Sequence, residues 1–123
     1  GIPAPLKAWI DNIVREGKTY TFGEGRNAKR VYGLLHNKLV VLLQSSGSSG
    51  FHTGGSRESL NHADKAVIAV FTELGVHKFE KASMEGVCEE TDETLERNWI
   101  QCERRLAEIA DRIKVRWRDQ HRA

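Results

Sequence analysis

The chain has 123 residues, 39% hydrophobic and 29% charged, with a formal net charge of +2. That balance suits one domain with a modest buried core, excludes a disordered chain, and is too mild to demand a polyanionic partner. No run approaches the roughly 18–20 apolar residues of a membrane span, and no basic region precedes an apolar one at the amino end, so a cytoplasmic location is expected.

The first element predicted is a helix within GIPAPLKAWID, Gly1 to Asp11. Pro3 and Pro5 suit a first helical turn, where a missing amide hydrogen costs nothing. Leu6, Trp9, Ile10, Ile13 and Val14 recur at helical spacing, and Gly17 supplies a stop. A helix that begins so abruptly normally follows a strand, so the chain reads as part of an enzyme.

Thr19 to Phe22 alternate as a short strand, and Gly23 to Arg30 form a polar turn before Val31, Tyr32, Leu34 and Leu35. This predicts a hairpin excursion. The unbroken run Leu39 to Leu43 then reads as a strand buried on both faces and paired in parallel. It leads into QSSGSSGFHTGG, Gln44 to Gly55, a loop whose glycines let backbone amides approach a ligand.

A helix is expected directly afterwards, capped by Ser56 or Ser59, burying Leu60, Ala63, Val67, Phe71 and Leu74, and ended by Gly75. A strand over roughly Lys78 to Met84 completes a βαβ unit. Thr91 or Asp92 begins the last helix, with an apolar stripe of Leu95, Trp99, Cys102, Leu106, Ile109 and Ile113 packed on the sheet.

Cys88 and Cys102 are the only cysteines and lack metal-site spacing, as do the histidines, so no metal is expected; Cys102 reads as a buried thiol. Glu85, Glu89, Glu90, Asp92, Glu93 and Glu96 precede the last helix, while Arg112, Lys114, Arg116, Arg118 and Arg122 crowd its end. Complementing the helix dipole accounts for both groups, which leaves nucleic-acid binding by the basic tail and Trp117 the weakest reading.

A serine and glycine loop at the carboxyl end of a parallel strand is where open α/β sheets bind ligands, although no GxGxxG or GxxxxGKS run accompanies it. Together, GIPAPLKAWID at 1–11, GLLHNK at 33–38, LVVLLQSSG at 39–47, SLNHADKAVIAVFTELG at 59–75 and the Glu85-Gly86 pair resemble the carboxyl half of FMN-dependent NADH:quinone oxidoreductases, the azoreductase family. The resemblance implies an α/β, partial flavodoxin-like doubly wound parallel sheet: the last βαβ unit with flanking helices and a hairpin excursion, forming a single domain over residues 1–123.

By the same resemblance, the parent enzyme passes two electrons from NADH through FMN to quinones or azo compounds by a ping-pong mechanism, as a homodimer. Ser45, Ser46, Gly47 and Ser48 match the family's SRGG-like loop against the flavin edge, with Gly50 replacing a displaced second glycine. The run here is longer, and Ser46 stands where arginine is common. Tyr20 matches an aromatic position beside a substrate pocket, on the same or the neighbouring subunit, and His52, adjacent to the loop, is the second residue expected to face a substrate. The phosphate-binding loop and the segment that grips the isoalloxazine are expected ahead of Gly1, so the chain alone is expected to have little activity. The alternative is a non-enzymatic interaction or dimerisation module without cofactor, built on the stripe of the last helix and exposed strand edges.

Overall fold

The computed structural model describes residues 2–122, and Gly1, at the head of the first predicted helix, lies outside them. Helix α1 spans Ala4–Ile13 and buries only Ile10 of its apolar stripe. It ends before Gly17 because a side chain takes over the capping: the Thr19 hydroxyl donates to the Ile13 carbonyl (2.7 Å) and accepts from the Arg15 amide (3.0 Å). Val14, expected on the buried stripe, is therefore extended and exposed.

Strands β1 (Tyr20–Phe22) and β2 (Val31–Gly33) pair antiparallel around a short 3-10 turn at Gly25–Asn27, which is the expected hairpin. Its foot rests on the end of the second helix, where the Leu35 amide donates to the Leu74 carbonyl at 2.8 Å. Gly33 permits that contact, since a Cβ there would lie 2.1 Å from the Leu74 carbonyl carbon.

Strands β3 (Leu39–Ser45) and β4 (Lys78–Met84) form a parallel ladder in register from Leu39↔Lys78 to Ser45↔Met84. Helix α2 (Ala63–Glu73) links them. Side-chain alternation sends Val40, Leu42 and Phe79 toward α1 and α2, where they pack on the cluster of Ile10, Val67, Phe71, Leu74 and Val76. Gly75 (φ +102°) turns the chain out of α2 into β4.

Two expectations fail here. β3 is not buried on both faces: every residue is at least partly open and Leu43 is 67% exposed, because the last helix, which lies on that face, packs mainly on β4. Nor does α2 follow the loop directly. A 3-10 turn at Glu58–Leu60 intervenes, His62 is the N-cap, Ser56 and Ser59 cap nothing, and Leu60 is exposed.

Helix α3 (Asp92–Gln120) starts at the expected cap, with the Thr91 hydroxyl accepting from the Thr94 amide at 3.3 Å. It lies along the other face of the sheet, where Ile109 and Ala82 are buried. Of the expected stripe only Ile109 is buried; Trp99 and Ile113 are exposed and Cys102 is half-buried. Polar contacts take the place of apolar ones: Arg105 and Arg112 both grip Glu80 of β4, and Arg105 also donates to the Lys81 carbonyl. No helix among the described residues is long and apolar enough to cross a membrane.

Phe71 is buried in the cluster and meets Trp9 at 6.2 Å between ring centres, so Phe71→Ala is expected to cost about 3–5 kcal/mol. Leu43→Ala should cost under about 1 kcal/mol at its open position. Urea denaturation of both variants checks this; an equal loss at Leu43 would mean that its face is covered in solution.

Candidate functional site

The ladder ends with Ser45 beside Met84, so the serine-glycine loop after β3 and the connection after β4 leave the sheet side by side. Backbone bonds lace them together. The Ser46 amide donates to the Met84 carbonyl, and the amides of Gly86, Val87 and Cys88 donate back to the carbonyls of Ser48, Ser46 and Gly47 at 3.0–3.1 Å.

Two carboxylates from the second connection then bind amides of the first. Glu85 Oε2 accepts from the Gly50 amide (2.9 Å) and the Phe51 amide (3.2 Å), and lies 3.2 Å from His52 Nδ1. Glu89 Oε2 accepts from the Ser49 amide (3.0 Å), while Arg57 bridges Glu89 and the Ser49 carbonyl. The pKa of Glu89 falls to about 2, first through the neighbouring Ser48 hydroxyl, then the Ser49 amide and Arg57.

Glu85 and Glu89 were attributed above to the dipole of the last helix. They lie outside it, and only Asp92 and Glu93 occupy its first turn. The roles of Glu85, Glu89 and Arg57 in holding the loop escaped sequence reasoning. The one available signal was that both segments end successive strands of a βαβ unit and must emerge as neighbours.

Beside this loop opens a cleft of about 760 Å³. Leu6 of α1, Leu42 of β3 and Val67 of α2 give it apolar walls, and Ser45, Ser46, Phe51, His52 and Glu85 form its loop side. Asp64 and Lys81 also line it, joined at 2.7 Å. Burial pushes the Asp64 carboxyl up, but the hydrogen bond and charge of Lys81 outweigh it, leaving the pKa below the ordinary value.

The predicted residues separate by role. Ser45 and Ser46 line the cleft, although the Ser46 hydroxyl is engaged with the Ser48 carbonyl at 2.8 Å. The Gly47 and Ser48 amides have no hydrogen-bond partner among the described residues. Gly50 is different: buried and at φ +90°, it gives its amide to Glu85. His52 is at the cleft. Tyr20 is not; it packs edge-on against Phe22 and borders a shallow groove with Ile10, Val70 and Leu74.

Cys88 is exposed in the turn after β4, and no cluster of potential metal ligands occurs among the described residues. Within the basic tail, Arg112 is committed to Glu80 and Trp117 stacks on His121 at 4.3 Å.

Residues 1–106 match the family described as having a flavodoxin-like fold. FMN-dependent NADH:quinone oxidoreductase 2 of Colwellia psychrerythraea is 40% identical over 79 residues, 64% of this chain and 36% of that protein. FMN-dependent NADH:quinone oxidoreductase 1 of Pseudomonas fluorescens is 33% identical over 109 residues, 89% of this chain and 51% of that protein. The azoreductase from Bacillus anthracis superposes with a TM-score of 0.73 at 26% identity, over 90% of this chain and 50% of that one. The chain thus spans about half or less of the length of these relatives.

Because the pKa of Glu89 is depressed, its grip on the loop adds stability that is fully present above the ordinary carboxylate value of 4.5 and is lost as pH falls through about 2. An NMR titration should show the Ser49 amide shifting with that low midpoint, and Arg57→Ala should raise it. A midpoint near 4.5 in the unsubstituted chain would contradict the clamp.

Proposed function

The chain belongs to the flavodoxin-like fold family, and on that premise we propose that it is a single-domain part of an FMN-dependent oxidoreductase that passes two electrons from NADH to quinones or azo compounds. The observation that carries the proposal is the serine-glycine loop beside an open cleft at the carboxyl end of a parallel strand, where the amides of Gly47 and Ser48 have no partner among the described residues. Amides left unpaired in a partly buried loop are costly unless a ligand or water accepts from them, and the edge of a flavin ring presents acceptors.

Ser45 at the cleft wall and the amides of Gly47 and Ser48, which do not line the cleft but follow Ser46 in the turn beside it, hold the ring edge, while Leu6, Leu42 and Phe51 supply apolar surface that excludes water from the cleft. Ser46 and Gly50 act on the turn, the first through its hydroxyl bond to Ser48 and the second through its positive φ. When bound, FMN supplies reversible two-electron chemistry, and the protein binds and orients. The open cleft admits NADH and the acceptor in turn, as a ping-pong order requires. The rest of the cofactor site belongs to the part of the relatives' length that this chain does not span.

Tyr20, on the hairpin and outside this cleft, serves the site of a second copy in a homodimer, where its ring can stack on a flat acceptor. The reading as an interaction module draws support from the open β3 edge with Leu43 and from exposed Trp99 and Ile113 on α3.

Titrating the nitrogen-15-labelled chain with millimolar FMN separates the two. Flavin at the loop is expected to shift the Ser45, Gly47 and Ser48 amides, whereas shifts confined to other residues, or none, would overturn the cofactor reading. Light scattering showing a dimer under the latter outcome would favour the interaction module.

A further inference from the structure

We propose that Glu85 is a positioning residue whose carboxylate serves as a built-in anion: it fills the amide nest at Gly50 and Phe51, so that the loop receives a flavin ring edge and rejects phosphate. The proposal rests on the reading of this loop as a flavin site.

Consecutive amides pointing at one spot make an anion-binding concavity, and the positive φ of Gly50 brings about that geometry here. In this chain the concavity is filled. One oxygen, Glu85 Oε2, takes the Gly50 amide, the Phe51 amide and His52 Nδ1 within 3.2 Å. The Glu85 side chain is only 17% exposed and reaches across from the residue after β4, roughly 35 positions further along the chain than its donors.

Glu89 completes the arrangement. Its carboxylate takes the adjacent Ser49 amide and stays ionised down to about pH 2. Three successive amides, Ser49 to Phe51, are thus satisfied by the protein's own negative charge. An incoming phosphate or carboxylate would meet two carboxylates at these positions, with the one nearby guanidinium, Arg57, already paired to Glu89, and no free amide among Ser49, Gly50 and Phe51. The amides without a partner among the described residues lie on either side of this clamp, at Gly47 and Ser48 before it and at His52 and Thr53 after it, and beside two carboxylates an acceptor without a full negative charge suits them.

The test needs no flavin. In Glu85→Ala, amide hydrogen exchange at Gly50 and Phe51 is expected to accelerate about tenfold or more, as for a lost charge-assisted hydrogen bond. Formate should then restore protection saturably, while chloride at equal ionic strength should not. In the unsubstituted chain neither formate nor inorganic phosphate should shift these two amides. Glu85→Gln keeps the size and one acceptor oxygen, so it preserves the fold if the alanine variant does not. Loss of its charge should let inorganic phosphate shift Gly50 and Phe51. Unchanged exchange in Glu85→Ala, no effect of formate beyond chloride, or no phosphate response in Glu85→Gln would each overturn the proposal. Absence of FMN-induced shifts in the unsubstituted chain would instead overturn the flavin reading and leave the anion role of Glu85 standing.

Discussion

The parallel ladder from Leu39↔Lys78 to Ser45↔Met84 is the constraint on which the site depends. Its end decides which loops become neighbours, and its register decides which side chains face each helix layer. A slip of one residue would turn Lys81 away from Asp64 and Glu80 away from Arg105 and Arg112. It would also turn Glu85 away from the loop amides that it now holds. Fold and site are therefore specified by the same pairing.

Polar contacts reinforce that register from both faces. On one side the buried carboxylate of Asp64, on α2, meets Lys81 of β4. On the other, Glu80 is held between Arg105 and Arg112, which lowers the pKa of Glu80, Arg112 contributing first, and raises that of Arg112. Such pairs are weak sources of net stability because desolvation offsets the attraction. Their effect here is directional: a wrong register leaves Asp64 charged, buried and alone, which penalises the alternative more than it rewards the native state.

Local signals were legible where neighbouring residues alone decide the structure. The hairpin, the bounds of β4, the Thr91 cap and the parallel βαβ unit follow from period, turn chemistry and capping within short windows. What escaped depends on distant partners. α1 stops early because Thr19 competes for its last carbonyl, and Leu43 is open because exposure is set by neighbours that a hydrophobic run cannot reveal. The stripe of α3 misled because Glu80, far away in sequence, gives two of its arginines a buried-side role. In the site, Ser45, Ser46 and His52 of the cleft were readable from the loop motif, whereas Gly47, Ser48 and Gly50 of the same motif do not line it and the walls from α1 and α2 were not foreseen. The carboxylates that shape the loop were read as helix-end charge, since nothing within a short window ties Glu85 to Gly50.

The same contacts fix the course of the loop after β3. Ser49 and Gly50 are tied to the connection after β4 by Glu89 and Glu85. Arg57 then pins the turn from behind through the Ser49 carbonyl. Ser46, at the cleft wall, closes a tight turn by donating its hydroxyl to the Ser48 carbonyl. With the amides of Ser49, Gly50 and Phe51 bound to internal anions, those of Gly47, Ser48, His52 and Thr53 are the loop amides left without a partner among the described residues. The shape of this loop is thus set by carboxylates that arrive from the other strand's end, and the ladder that makes the two connections neighbours decides which of its amides stay open.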